Sequence, residues 1–453
     1  MSLALSALIA LSLPKYLGVE EYGYWQLFLF YSSYVGFFHF GLNDGVYLKF
    51  GGLSYETMDK RLIGAQFRFG LLFQSAIALG VALLSAMFAP EAARRTVWIA
   101  TAVYLILYNA TLFLGYVFQA ANETRLYSVS VIIDKCFLLV AVVALLAGGV
   151  RYFETFVLLY LASKLVSLVY CVVKGREIVF APRMPFRAAA AESLASIRIG
   201  INLMLANIAS MLILGSGRFF IDQAWGIEAF ARFSLALQLT SFFLQFIAQV
   251  SIVLFPALRQ FDETRLKDFY RLMRDALSLI LPVAFLAYAP VMEALGMWLP
   301  RYKESLASMA LLLPICLFDG KMQMLCNTYY KVLRQERALL RVNALSMALS
   351  FALSLVGVFI IKNIYFVIVS MVVAIAFRSA ISEAYLGRLL GLNTVRDILM
   401  EFILAAVFML LSWFLPSSES FAIFAVLYAL FLFINRDRVV RTAKALRRAP
   451  RAM

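Results

Sequence analysis

The chain has 453 residues, 63% of them hydrophobic and only 15% charged, which leaves too little polar surface to coat a soluble globule, so the composition is that of an integral membrane protein. The net charge of +15 does not point to nucleic acid, because Lys and Arg fall in short connections between apolar runs, where they suit an anionic leaflet. The four cysteines sit in apolar runs without ligand spacing, and His39 is the only histidine, so no disulfide framework, metal site or cofactor is expected and a Ser-His-Asp triad is excluded.

Fourteen apolar segments follow in chain order: 1–14, 23–48, 69–89, 96–119, 126–148, 153–173, 199–222, 228–255, 275–297, 305–330, 342–361, 364–386, 397–415 and 420–434. The opening run, Leu3 to Leu13, is about half the length a span needs, so it is either a shortened first helix or a start placed late. It lacks the basic lead and small-residue cleavage pattern of a signal peptide. Pro14, Gly18 and Gly23 punctuate the connection to a second span, Tyr24 to Leu48, which ends on Asn43 and Asp44 between Gly41 and Gly45, then Lys49. Asp44 is either solvated at the span's end or a carboxylate lining a cavity. The longest connection, Lys174 to Arg198, is basic, contains Pro182 and Pro185, and reads as a linker along the surface. The expected divisions are 1–174, a cytoplasmic linker 175–198, 199–390, two further helices 391–435 and a basic cytoplasmic tail 436–453, whose cations suit anionic headgroups.

Charge alternates along these connections. Those after even-numbered segments, with the tail, hold 28 Lys and Arg, whereas those on the other side hold seven: Lys15, Arg94, Arg95, Arg151, Arg301, Lys303 and Lys362. That bias predicts an even number of spans with both termini cytoplasmic. An internal repeat appears when 13–174 is laid over 221–386: LGVEEYGYWQLF from Leu17 faces WGIEAFARFSLA from Trp225, and QAANETR ending at Arg125 faces KVLRQER ending at Arg337. Two six-helix halves of the same orientation follow.

The LPKYLGVEEYGYW run, the GLNDGVYLKFG end of the second span and the two halves together resemble the polysaccharide-biosynthesis flippases, the O-antigen-repeat translocators of the multidrug, oligosaccharidyl-lipid and polysaccharide exporter superfamily. The resemblance implies an all-α integral membrane fold of about fourteen helices, two pseudo-symmetric six-helix bundles around a central cavity plus two C-terminal helices, in a bacterial cytoplasmic membrane. It implies a transporter that moves an undecaprenyl-diphosphate-linked oligosaccharide from the cytoplasmic to the outer leaflet. It also admits membrane lipids, a polysaccharide polymerase and a ligase as partners. By position, segments 13 and 14 match the pair that forms a lipid-tail groove in the lipid II flippases of that superfamily. The short first helix departs from the pattern.

Moving a diphosphate and sugars through a low-dielectric channel calls for cations. Each Lys or Arg at mid-membrane costs about 2.5–3.5 kcal/mol, so an unpaired one should face a cavity or a partner. Lys164, Lys321 and Arg378 lie near the centres of their segments and are the expected ligands of the diphosphate or an anionic sugar, with Arg218 and Arg232 nearer the outer face. Arg218 and Asp222, four apart, could instead satisfy each other. Asp319 and Lys321, two apart, must find partners elsewhere, and Asp134 and Lys135 could bridge to neighbouring helices. Tyr104 and Tyr108 either stack on sugar rings or pack in the core, and Trp25, Trp98, Trp225 and Trp298 fit an interfacial belt. No GxxxxGK[ST] loop is present, so transport would draw on an ion gradient, with Asp44 and Asp319 as candidate proton or sodium sites. Two alternatives remain open: a drug or metabolite exporter on the same architecture, and a membrane glycosyltransferase or ligase, which the brief outer connections disfavour.

Overall fold

Within hydrocarbon, every backbone N–H and C=O must be satisfied inside the chain, which dictates helices or a closed barrel. The computed structural model describes residues 11–89, 91–258 and 263–448, and every regular element among them is helical. Residues 1–10, and with them most of the first predicted segment, lie outside the described residues.

The helices used below are α1 (Val19–Tyr34), α2 (Leu42–Phe50), α3 (Lys60–Phe88), α4 (Ala92–Ala120), α5 (Thr124–Ala147), α6 (Phe153–Lys174), α7 (Phe186–Leu258), α8 (Glu263–Ile280), α9 (Tyr288–Trp298), α10 (Lys303–Leu312), α11 (Pro314–Lys321), α12 (Glu336–Leu355), α13 (Ile364–Leu389), α14 (Val395–Phe414), α15 (Ser417–Ile434) and α16 (Arg436–Arg448). Among the described residues, 11 helical stretches are long and apolar enough to cross a membrane, where fourteen segments were expected. Two differences have a local cause. The second segment is broken between α1 and α2, and the seventh and eighth run together as α7, interrupted where Gly226 adopts φ 78, ψ −176. The chain divides into two compact units, Met1–Ile208 and Ala209–Met453, with the boundary inside α7.

The repeat is visible in the backbone. Gly18, at the N-cap of α1 with ψ 161, and its counterpart Gly226 both interrupt helical geometry just before an apolar-Glu pair. At the second aligned stretch, Asn122 and Arg334 both take positive φ, 62 and 53. There the Glu123 N–H donates to Phe118 O and the Gln335 N–H to Tyr330 O, each at 2.7 Å, the same six-residue closure of a helix end.

In the first unit α1 ends in a 3₁₀ turn, Val35–His39, after which Phe40 and Gly41 are left-handed and the chain restarts as α2. Asn109 of α4 holds the break by donating to Val35 O at 2.8 Å. The stretch expected to be a surface linker is helical from Phe186, and its Ser196-xxx-Gly200 ridge crosses Gly41-xxx-Gly45 of the second span. A Cβ on Gly45 would lie 1.9 Å from Ser196 O and one on Gly200 would lie 2.1 Å from Gly41 O, so the crossing exists only because these positions lack side chains. Before Phe186, Arg68 of α3 ties the chain down by donating to Val179 O, Ala181 O and Pro182 O. Lys60 pairs with Glu177, whose carboxyl the hydrogen-bonded ammonium holds below the usual carboxylate range.

Candidate functional site

In the first unit, the sequence puts aromatic residues one turn apart on three helices, and they meet. Phe28 of α1 lies 6.0 Å from Tyr104 of α4 and 5.5 Å from Tyr160 of α6, ring centre to ring centre, and Tyr104 and Tyr160 are 5.3 Å apart. Trp25, assigned above to an interfacial belt, is instead buried against Phe28, Phe156 and Tyr160. Tyr104 is part of this packing. One turn beyond Tyr160, Lys164 places its Nζ 2.7 Å from Asp134 Oδ2 of α5 and 5.6 Å from the centre of the Tyr108 ring. Ser163 Oγ donates to the other carboxylate oxygen at 2.9 Å, and Lys135 lies 6.0 Å over the Tyr160 ring. The result is an ion pair walled by tyrosines, its side chains 11% and 8% exposed.

In the second unit, Asp319 and Lys321 leave α11 in different directions, as their spacing requires. Asp319 bonds Arg378 of α13, whose other terminal nitrogen donates to Ser210 at 2.6 Å, and it accepts from Gln323 at 2.7 Å. Lys321 is entirely buried, bonded to Glu383 of α13 and to both carboxylate oxygens of Glu401 of α14, at 2.9 and 2.7 Å. Ser278 of α8 donates to Glu401 as well. A π-helical turn, Met322–Cys326, directly follows Lys321.

The premise of lone cations in the membrane is therefore overturned for all three residues: Lys164, Lys321 and Arg378 each hold an acid on a neighbouring helix. The acids were hidden because they lie 30, 62 and 59 residues away in the chain. The others keep more local company. Arg218 sits 5.3 Å from the Phe230 ring and donates to Ser234 at 3.2 Å, while Asp222 accepts from Gln223. Arg232 lies 3.9 Å from Glu228 on the same helix. Asp44 approaches His39, Oδ2 to Nε2 3.7 Å; because His39 Nδ1 accepts from the Gly41 N–H at 2.9 Å, the ring proton sits on the Nε2 side. With its side chain 13% exposed, Asp44 is not a freely solvated end residue.

Sequence reasoning missed the second unit's largest polar feature. Arg274 of α8 binds Asp397 of α14 at 2.6 Å and its neighbour Asp275 at 3.3 Å, and approaches Glu383 at 3.9 Å. From α16, Arg438 reaches Asp397 at 2.5 Å and Arg441 reaches Asp275 at 3.3 Å. Two residues of the tail expected to serve lipid headgroups thus bind protein carboxylates instead. With Lys321, Glu383 and Glu401, four cations and four acids join five helices.

A family model described as polysaccharide biosynthesis protein matches residues 12–262, more than half of the chain. The chain belongs to that family. Among solved structures, this polysaccharide biosynthesis protein is similar to an inward-facing multidrug resistance MATE family transporter of the MOP superfamily, at 12% identity with a TM-score of 0.66, over 86% of this chain and 94% of that one. It is also similar to the lipid II flippase MurJ in an inward closed conformation, at 13% identity with a TM-score of 0.64, over 97% of this chain and 98% of that one. No curated relative matches it. At such identities the likeness is one of fold, and it bears out the all-helical, multi-pass membrane architecture expected of this family member.

Proposed function

We propose that the protein is a flippase that carries a polyprenyl-diphosphate-linked oligosaccharide from the cytoplasmic to the outer leaflet of the bacterial cytoplasmic membrane, with both termini cytoplasmic. The observation that carries this reading is the extent of the likeness to MurJ, a lipid II flippase, in a chain of the polysaccharide biosynthesis family. The MATE likeness covers 86% of the chain and the MurJ likeness 97%, a difference of about fifty residues.

The paired charges suit such a cargo better than bare cations would. A lone buried cation is costly at rest, whereas Asp134–Lys164 and Asp319–Arg378 are neutral as pairs. A diphosphate that enters can replace the carboxylate on the cation, since phosphate accepts the same charge-assisted bonds. The displaced acid, Asp134 or Asp319, then becomes the group that takes a proton or sodium ion, which couples cargo to gradient; Asp44, beside His39 rather than a cation, is a second ion site outside that exchange. Tyr108 and Tyr160 supply faces for sugar rings beside the first pair. Lys321 has no exposed surface, so its place is in the scaffold.

Reconstitution into vesicles tests the reading. A fluorescent polyprenyl-diphosphate saccharide should change leaflet with the wild-type protein and fail to do so with Lys164→Gln. If a drug-like cation crosses instead and the lipid does not, the exporter reading replaces this one.

A further inference from the structure

Asp134 bridges to a neighbouring helix, as its place in the sequence suggests, but the adjacent Lys135 does not. Among the described residues, no carboxylate lies within ion-pair distance of the Lys135 ammonium, whose near neighbour is the Tyr160 ring, 6.0 Å away. Lys135 is the twelfth of the 24 residues of α5, so the two helix ends lie about 16–18 Å off along the axis, too far for a lysine to snorkel. Successive helix residues are turned by about 100°, which puts Lys135 at the edge of the buried seam that holds Asp134, away from the exposed Ile132, Val140 and Val143. Lys135 and Tyr160 are both half-buried there. At this depth an open side is either hydrocarbon or a water-filled space, and an ammonium without a counter-charge belongs to the second.

The tyrosines give that space a chemistry. Tyr160, Tyr104 and Tyr108 form a row with ring centres 5.3 and 5.5 Å apart, and an ammonium stands at each end: Lys135 over Tyr160, and Lys164 5.6 Å from Tyr108. Asp134 neutralises Lys164, so these side chains together carry one positive charge, at the Tyr160 end. An aromatic face is a stacking surface for a sugar ring, and a single ammonium matches a single negative group borne on that ring. A diphosphate brings more than one charge and no ring of its own.

We propose that Lys135 binds the carboxylate of an acidic sugar in the cargo, with the ring of that sugar stacked on Tyr160. The proposal rests on the flippase reading and narrows its substrate class to oligosaccharides that carry a uronic-acid unit. Lys164 keeps the diphosphate, at the other end of the row. Both parts of such a cargo offer anionic oxygens, and the experiment separates carboxylate from diphosphate.

Two polyprenyl-diphosphate disaccharides that differ only in the outer sugar, glucuronic acid in one and glucose in the other, are titrated onto the full chain in phosphatidylcholine nanodiscs. Bound lipid is read by native mass spectrometry. The wild-type protein should hold the acidic lipid at least about tenfold more tightly, equivalent to roughly 1.4 kcal/mol. Lys135→Gln should bring the acidic lipid down to the affinity of its neutral twin and leave the twin unchanged, while Lys135→Arg should keep the preference. Neither change strands a buried acid, so thermal unfolding should match the wild type. Equal affinity of the wild-type protein for the twins overturns the proposal without any variant. So does a preference that Lys135→Gln retains, or a loss that is the same for both lipids, which would assign the ammonium to the diphosphate. Flipping measured in vesicles of the same protein keeps the two readings apart. Transport of both lipids without a preference in binding removes the Lys135 assignment alone, whereas a carboxylate preference without transport of either lipid removes the flippase reading alone.

Discussion

At the scale of single residues, the same chemistry serves two ends, and exposure divides them. Lys164 and Lys321 are both buried ammonium groups bonded to carboxylates, but Lys164 retains some exposure and tyrosine faces, whereas Lys321 retains none. Removing one member of a buried pair strands the other and costs about 3–5 kcal/mol, while replacing both by apolar groups is often neutral. Lys164→Met should therefore lower the unfolding temperature sharply, and Asp134→Leu/Lys164→Met should restore it without restoring lipid flipping. Lys321→Met should be as destabilising, because Glu383 and Glu401 are left facing each other. Recovering its fold with Glu401→Gln should recover flipping as well. Thermal unfolding in detergent and the vesicle assay, run on both series, read the two outcomes separately. A double Asp134/Lys164 variant that transports normally would confine that pair to a structural role.

At the scale of elements, glycine spacing decides which helices can touch. Gly45→Ala and Gly200→Ala each drive a methyl into backbone at about 2 Å, so each should cost roughly 1–3 kcal/mol or more through forced separation of α2 and α7. Gly80→Ala in α3, where a Cβ meets nothing within 4 Å, should be neutral or slightly stabilising. Equal melting shifts for the three would mean the crossing is looser than its geometry. Part of this element was legible in the sequence. GLNDG marks the polar end of the second span, and the 28-to-7 charge bias orders the connections. Its partner SIRIG was not legible, because Ser196 to Arg198 close a proline-bearing basic stretch that composition assigns to a linker, while Gly200 falls just inside the seventh segment. Nor could the sequence show that Phe40, a bulky residue, would go left-handed ahead of Gly41 and divide one apolar span into two helices. Left-handed geometry at such a residue is imposed by tertiary contacts, here with Asn109 supporting the turn before it.

At the scale of the whole molecule, hydropathy and charge bias report the bilayer, which acts on every residue by its depth, so the helical class and the repeat could be read directly. Ion pairs between helices report neighbours, and nothing in a single sequence says that Arg274, Lys321, Asp397 and Arg438 converge. That convergence gives α16 an anchoring role. Without α16, the eight-charge network keeps two cations, Lys321 and Arg274, against four carboxylates, and Arg274 is left to serve both Asp275 and Asp397. Ending the chain after Asn435 should therefore leave excess negative charge among α8, α13 and α14 and lower the unfolding temperature by several degrees. Adding Asp275→Asn and Asp397→Asn to the truncated chain should recover much of that loss, because the uncompensated charge is then gone. If the tail acted only through anionic headgroups, truncation would change stability in anionic bilayers and leave it untouched in neutral detergent, and the two asparagines would rescue nothing. Unfolding curves of the three proteins in a zwitterionic detergent decide between an internal strap and a lipid anchor.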